Sequence, residues 1–170
     1  MDRAELEAAL GDVARHLSHD GATARVYVVG GAAMMLGYDA SRTTRDVDGV
    51  ILEGHGALVK AVAAVARERH LPTSWLNEQA SSYVPPTPDR RGIVVFDHPN
   101  LRVVAASPEH LLVMKAHAAR AADLGDLRLL CEMTGIATLR ELEALSDRVF
   151  PGQPLSNRSR VVLEEFFGPT

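Results

Sequence analysis

The chain has 170 residues, of which 46% are hydrophobic and 24% are charged, and its formal net charge at pH 7 is −4. This length and apolar content fit one domain, or one domain with a small helical appendage, and the negative charge argues against a protein that coats nucleic acids generally. No apolar run approaches the ~18 residues that span a bilayer. The N-terminal residues are acidic and amphipathic, unlike a signal peptide. The single cysteine, Cys131, favours a reduced, cytoplasmic setting without an internal disulfide.

The first half of the chain alternates helical and strand-like patterns. Apolar residues recur on one stripe of residues 2–18, and Asp2 with Glu5 forms a capping box at the start of this predicted helix. The next predicted elements are a buried strand at 26–29, a short helix at 32–36, a second strand at 45–51 and a helix at 57–69. Such alternation predicts a mixed β-sheet with helices packed on it.

The second half becomes helical after a predicted hairpin. A short helix is predicted within 73–83, and two strand-like runs at 93–96 and 101–105 are typical of a hairpin. Ser107 and Pro108 are typical of a helix start, and further helices are predicted from Asp123 to Gly135, from Thr138 to about 147, and over 159–167. We therefore expect an α+β fold: a small mixed β-sheet core flanked by helices in residues 1–106, and a helical C-terminal part in 107–170 packed on it as one unit.

Two aspartates in the second predicted strand draw attention. Residues i and i+2 of a strand point to one face, so Asp46 and Asp48 would project side by side and repel each other unless water, a cation or basic side chains neutralise them. Mg²⁺ usually takes one or two carboxylates, with waters and substrate phosphates completing its octahedron. The glycine pair Gly30-Gly31, ahead of a helix N-terminus, would let a phosphate approach the backbone. The pattern predicts a metal site beside a phosphate site; the alternative is a solvated strand end with two surface acids.

This pattern resembles the polymerase-β-like nucleotidyltransferase superfamily, whose glycine pair and Asp-x-Asp correspond to Gly30-Gly31 and Asp46-Val47-Asp48, although Gly49 stands where an apolar residue is usual. The fuller runs resemble one branch, the small bacterial nucleotidyltransferases akin to abortive-infection toxins. Those runs are GGAAMMLGY…SRTTRDVDGVIL, Trp75-Leu76-Asn77 and SPEHLLVMKAHAAR…DLGDL. The resemblance covers roughly residues 25–150.

The resemblance implies a catalytic centre that moves a nucleoside monophosphate from a nucleoside triphosphate to an acceptor hydroxyl. Two Mg²⁺ ions would be held by Asp46 and Asp48. A third carboxylate is expected at Asp97, Asp123 or Asp126, and the branch favours the last two because it places a lysine and then an aspartate there. Their ordinary alternatives are a helix N-cap for Asp123 and a first-turn acid for Asp126. Lys115 would be a catalytic residue that places its charge on the triphosphate, or else it extends to water.

Several nearby residues have both a binding and a structural interpretation. Ser41, with Thr44, could donate hydroxyl hydrogen bonds to the nucleotide, and Arg42 and Arg45 could bind phosphate or simply pair with the two acids. Trp75 is more typical of a core residue than of a base-stacking one. The seven histidines show no zinc spacing, and His110 and His117 are expected to be surface or packed residues, with Cys131 in the core.

The implied partners are a nucleoside triphosphate, RNA such as a tRNA end, or a protein as the acceptor, and a cognate antitoxin if the chain is a toxin; no membrane is expected. Two other hypotheses compete with this one. The first is a catalytically inactive nucleotidyltransferase fold that binds nucleotides or proteins. The second is a metal-dependent phosphoesterase that uses the same carboxylates.

Overall fold

The computed structural model describes residues 1–38, 41 and 43–168. They form two units: the first comprises Met1–Ser82 and Gly92–Ala106, and the second comprises Tyr83–Arg91 and the chain from Ser107 onwards. The first unit holds a five-stranded mixed sheet with helices and the second is helical, so the predicted α+β class is confirmed. Across the described ranges, no helix combines the length and the hydropathy that a membrane span requires.

The first unit is built on a sheet whose strand order is β3-β2-β1-β5-β4. The β1/β5 and β2/β3 pairs are parallel, and the β1/β2 and β4/β5 pairs are antiparallel. In chain order the elements are α1 (Arg3–His19), β1 (Ala24–Val28), α2 (Gly30–Gly37), β2 (Val47–Glu53), α3 (His55–Glu68), β3 (Leu76–Asn77), β4 (Ile93–His98) and β5 (Leu101–Ala105). The predicted hairpin is confirmed as β4 and β5.

Helix α1 follows directly from its sequence pattern. Asp2 accepts a hydrogen bond from Glu5 N at 2.8 Å, and the Glu5 carboxylate accepts one from Asp2 N at 2.9 Å, which confirms the capping box. The apolar stripe of this helix is almost completely buried, with Leu6, Leu10, Val13 and Leu17 at most 1% exposed. Burying such a stripe drives helix formation more than intrinsic propensity does.

The second unit contains α4 (Pro108–Ala118), α5 (Leu124–Thr134), α6 (Leu139–Val149) and α7 (Asn157–Phe167). The predicted Ser107 cap and the Thr138 capping box are both present. Segment 83–91 belongs to this unit rather than to the sheet unit. It is held there by hydrogen bonds from Thr87 Oγ1 to Val149 O at 2.8 Å and from Ser107 N to Asp89 Oδ2 at 2.7 Å.

The short helix predicted within residues 73–83 is present as the 3₁₀ helix Ser81–Tyr83. The stretch before it is not helical, because Leu76 and Asn77 form the edge strand β3, which pairs with Val47 and Asp48. The reason is tertiary: Trp75 is fully buried and its indole Nε1 donates to Val62 O of α3 at 3.2 Å. That contact fixes the chain in an extended path beside β2 and confirms Trp75 as a core residue.

Candidate active site

The glycine pair lies where β1 turns into α2, and each glycine has a conformational or packing reason to be there. Gly30 has φ +62°, a left-handed value that side chains with a Cβ rarely adopt. A Cβ on Gly30 would lie 3.5 Å from Asp48 Oδ2, and one on Gly31 would lie 3.2 Å from Thr44 Oγ1. The start of α2 therefore lies next to the Asp48 carboxylate and to the loop that leads into β2.

The acidic pair lies at the beginning of β2. Val29 N donates to Asp48 O at 2.9 Å, which continues the β1/β2 ladder to the glycine turn. Val47 is buried, Asp48 is half-buried and Asp46 is exposed. Because successive strand residues point to opposite faces, Asp48 leaves the sheet away from the side that buries Val47. Asp46 directly precedes the strand, and it stays a prediction that its side chain lies on the same face as that of Asp48.

Gly49, the departure from the superfamily pattern, has a packing explanation. It is paired with Val28 in the β1/β2 ladder, and a Cβ at this position would lie 3.0 Å from Tyr27 O and 3.1 Å from Val26 Cγ1. These distances are too short for an apolar side chain unless β1 moves. The glycine thus lets β1 and β2 approach closely directly beside Asp48.

The loop before the acids is organised by Thr44. Its hydroxyl donates to Asp46 O at 2.8 Å, and its backbone exchanges two hydrogen bonds with Met1, from Met1 N to Thr44 O at 2.6 Å and from Thr44 N to Met1 O at 2.9 Å. Ser41 and Arg45 of this loop are exposed. Arg42, which was predicted to bind nucleotide, lies outside the described residues.

In the second unit, the structure brings the other three predicted residues together. Lys115 Nζ lies 2.7 Å from Asp123 Oδ1 and 2.6 Å from Asp126 Oδ2, and both Lys115 and Asp126 are buried. Asp126 does lie in the first turn of α5, as its ordinary alternative predicts, but there it is buried and paired with Lys115. Asp123 does precede α5 in the N-cap position, but its side chain makes no capping hydrogen bond. One cation here is shared by two carboxylates, and we call these three residues the lysine–aspartate cluster.

Asp97, one of the alternatives for a third metal ligand, lies at the opposite end of the sheet from Asp48. It is paired with Arg102 of β5, which in turn is paired with Arg25 of β1. Gly49, the neighbour of Asp48, is instead paired with Val28 of β1. Val28 lies three residues beyond Arg25 along β1, which is about 10 Å at the usual rise of a strand. Asp97 does not converge on the acidic pair.

His110, His117 and Cys131 are packed, as expected. His117 Nε2 lies 2.8 Å from Ser146 Oγ and its ring contacts Phe150. Burial lowers the pKa of both His110 and His117, and it raises the pKa of the Cys131 thiol to about 11. Within the described part of the chain, no three or more His, Cys, Asp or Glu side chains form a group placed to hold a metal ion.

Sequence reasoning underestimated Thr44 and missed Glu78. Thr44 was expected only as a hydroxyl donor to nucleotide, whereas its hydroxyl contacts Asp46 O; a threonine two residues before a turn residue is a local signal for this side-chain-to-backbone bond. Glu78 accepts a hydrogen bond from Ile51 N at 3.0 Å and lies 2.9 Å from His55 Nε2. Its carboxylate thus provides a partner for a backbone N–H of β2 in the part of that strand that the short β3 does not reach. No local pattern predicts that contact.

A mixed sheet on which an Asp-x-Asp pair lies beside a glycine turn that opens a helix is typical of nucleotidyltransferases. A family profile described as nucleotidyltransferase of unknown function (DUF6036) matches residues 5–157, and the chain belongs to this nucleotidyltransferase family. Neither the curated proteins nor the solved structures contain a significant match. The description of the family names neither an acceptor nor a toxin role.

Proposed function

We propose that this protein is a Mg²⁺-dependent nucleotidyltransferase that moves a nucleoside monophosphate from a nucleoside triphosphate to an acceptor hydroxyl. The acceptor oxygen would form a bond to the α-phosphorus, the bond from that phosphorus to the pyrophosphate would break, and the hydroxyl proton would leave to solvent. The observation that carries the proposal is the position of Asp48 next to Gly30 at the start of α2, in a chain that belongs to a nucleotidyltransferase family.

The acidic pair fits magnesium by its chemistry. Asp46 and Asp48 offer hard carboxylate oxygens that are exposed or half-buried, and Mg²⁺ is commonly bound by one or two carboxylates together with waters and substrate phosphates. Such a site is completed by the nucleotide and needs no preformed cage of protein ligands. Bound Mg²⁺ would activate the attacking hydroxyl and stabilise the leaving pyrophosphate.

The chain itself would bind and orient the triphosphate. The first N–H groups of α2 have no partner within the helix and favour an anion, and at this helix start Gly30 is half-buried and Gly31 is exposed. Lys115 stays a prediction as a catalytic residue, as do Asp123 and Asp126 as metal ligands. For any of these roles the lysine–aspartate cluster would have to exchange its present ion pairs for contacts with substrate or metal.

We further propose that the acceptor is an RNA, such as a tRNA end, or a protein, and that the protein is the toxin of a toxin–antitoxin pair with a cognate antitoxin as its partner. The resemblance of the runs around Gly30, Asp46 and Lys115 to abortive-infection toxins supports this proposal. We expect a small regulator to be encoded in the adjacent reading frame. Expression of the toxin should arrest growth, and co-expression of this regulator should relieve the arrest.

The test is transfer of label from α-³²P nucleoside triphosphates, in Mg²⁺, to total RNA and to the polypeptide itself. Asp46→Asn and Asp48→Asn should each lower transfer by at least about 100-fold, since each removes charge from the metal site. Asp97→Asn is the matched control, because this exposed aspartate of the same sheet lies at its other end. Equal activity of all three variants would refute the proposed site.

A second candidate, a nucleotide-binding module without turnover, is favoured by one observation: Lys115 already has two carboxylate partners. It predicts saturable nucleotide binding that Asp48→Asn changes, with no labelled acceptor under any condition. Release of phosphate or nucleoside monophosphate from a substrate, without labelled acceptor, would instead indicate the phosphoesterase alternative.

A further inference from the structure

We propose that Thr44 is a positioning residue, which fixes the backbone of Asp46 so that the acidic pair presents its carboxylates beside the glycine turn. This inference rests on the proposed function, and it assigns to Thr44 a role distinct from binding the nucleotide. Three contacts or close approaches of this half-buried residue carry it: its backbone bonds with the N-terminal segment, and its hydroxyl bonds with Asp46 and lies next to the glycine turn.

The first contact fixes the loop against the segment that precedes α1. Met1 N donates to Thr44 O at 2.6 Å and Thr44 N donates to Met1 O at 2.9 Å. Two reciprocal bonds of this kind are the unit of an antiparallel ladder. Because Asp2 caps α1 immediately afterwards, the backbone of Thr44 is connected to a helix whose apolar stripe is buried in the first unit.

The second contact fixes Asp46 from its N-terminal side. Thr44 Oγ1 donates to Asp46 O at 2.8 Å. On the C-terminal side, Val47 N donates to Trp75 O at 2.7 Å, and Asp48 O accepts from Val29 N at 2.9 Å. The exposed Asp46 is thus held between a hydroxyl contact and the sheet. Without that contact, the carbonyl of Asp46, directly before the strand, would lose its hydrogen bond from the Thr44 side chain.

The third contact connects the same hydroxyl to the phosphate side of the site. A Cβ on Gly31 would come within 3.2 Å of Thr44 Oγ1, closer than most real contacts of this kind, so the threonine fills the space that the glycine leaves. Any displacement of Thr44 would therefore change the surroundings of both the acidic pair and the start of α2. A residue with only a stabilising role would not need to contact both.

The test compares Thr44→Val, which keeps the branched shape but removes the hydroxyl, with Thr44→Ser, which keeps the hydroxyl. Binding of Mn²⁺ to the nucleotide-free protein is measured by electron paramagnetic resonance, and transfer is measured separately as kcat and KM for the triphosphate. We expect Thr44→Val to weaken Mn²⁺ binding about fivefold, as for the loss of one hydrogen bond, and to lower kcat about tenfold or more with a smaller change in KM. Thr44→Ser should restore most of both.

Thr87→Val is the matched control, since Thr87 Oγ1 also donates to a backbone carbonyl, that of Val149, at 2.8 Å in the second unit. It should lower stability to a similar extent as Thr44→Val while leaving Mn²⁺ binding and kcat unchanged. A purely structural role of Thr44 would make the two variants behave alike, and this result would overturn the proposal.

The outcomes also separate this inference from the proposed function. An active wild-type protein whose Thr44→Val variant keeps its Mn²⁺ affinity and kcat overturns the positioning role and leaves the function intact. A wild-type protein that binds Mn²⁺ without transfer, and whose affinity falls in Thr44→Val but not in Thr44→Ser, supports the positioning role while the function fails. A wild-type protein that neither binds Mn²⁺ nor transfers label overturns both.

Discussion

Replacing Lys115 by methionine separates a structural role of this lysine from a catalytic one. Methionine keeps the apolar stem but removes the ammonium group that lies 2.7 Å from Asp123 Oδ1 and 2.6 Å from Asp126 Oδ2. The side chains of the two aspartates are only 16% and 5% exposed, so two negative charges would remain close together with little water. Removing one partner of a buried ion pair costs about 3–5 kcal/mol. The partial exposure of Asp123 favours the lower end of that range.

The free energy of unfolding of Lys115→Met, from urea denaturation followed by circular dichroism, should therefore fall by about 3 kcal/mol. In a chain of this size that corresponds to a decrease in Tm of about 10 °C. Adding Asp126→Asn to Lys115→Met should recover a large part of the loss, because the amide removes one of the two unpaired charges. Lys60→Met is the control: its pair with Asp20 is at the surface, with the lysine side chain 74% exposed, and should matter little.

A Lys115→Met variant with the stability of the wild-type protein and no transfer activity would refute this reasoning. It would mean that the ion pairs of the cluster contribute nothing to folding, and that the lysine acts on the substrate. If the Asp126→Asn single variant keeps its transfer activity, loss of stability that Asp126→Asn reverses, without return of transfer, would show that Lys115 has both roles.

Three further predictions follow from packing and burial. Gly49→Ala should destabilise the protein by about 1–3 kcal/mol, since its Cβ would lie 3.0 Å from Tyr27 O; Gly11→Ala, with open space around it in α1, should stabilise it, and equal effects would contradict the packing argument. The Cys131 thiol, whose pKa is raised to about 11, should react with a thiol reagent at pH 8 only as fast as the protein opens, so rapid reaction in native buffer would contradict its burial. Because burial lowers the pKa of His117 below its unfolded value, the native state binds fewer protons there, and the free energy of unfolding should decrease as the pH falls from about 6.5 through the folded pKa. His117→Gln should reduce this slope in urea titrations at pH 7 and pH 5; an unchanged slope would exclude His117 as its source.

The features that the sequence predicts best are those whose physics is contained within a few residues. The Asp2–Glu5 capping box, the Ser107 cap and the Thr138 capping box all form as predicted. Each depends on hydrogen bonds between positions three residues apart, so the pattern is readable from the chain. The β4–β5 hairpin was also predicted, because its two strands are joined by a short turn.

The failures concern contacts between distant parts of the chain. A short helix is predicted within 73–83, yet it is confined to Ser81–Tyr83, and the burial of Trp75 against Val62 places Leu76 and Asn77 beside β2 as a strand. The sequence places Asp97 at a strand end, and only the strand order and pairing reveal that this end of the sheet is opposite to the one that carries Asp48. Asp126 is a first-turn acid by sequence, and only the packing of α4 and α5 reveals its lysine partner. Pairing over such distances has no local signature.

The glycine pair illustrates why a motif and its function need separate evidence. Gly30 is required by its φ of +62°, and Gly31 by the closeness of Thr44 Oγ1, so both glycines are explained without any ligand. The pair by itself therefore does not demonstrate phosphate binding. The pair does allow the Asp48 carboxylate to lie next to the start of α2. An acid in that position is useful for phosphoryl transfer only if a cation is bound between it and the phosphate. Metal binding at Asp46 and Asp48 is consequently the property on which the catalytic interpretation depends.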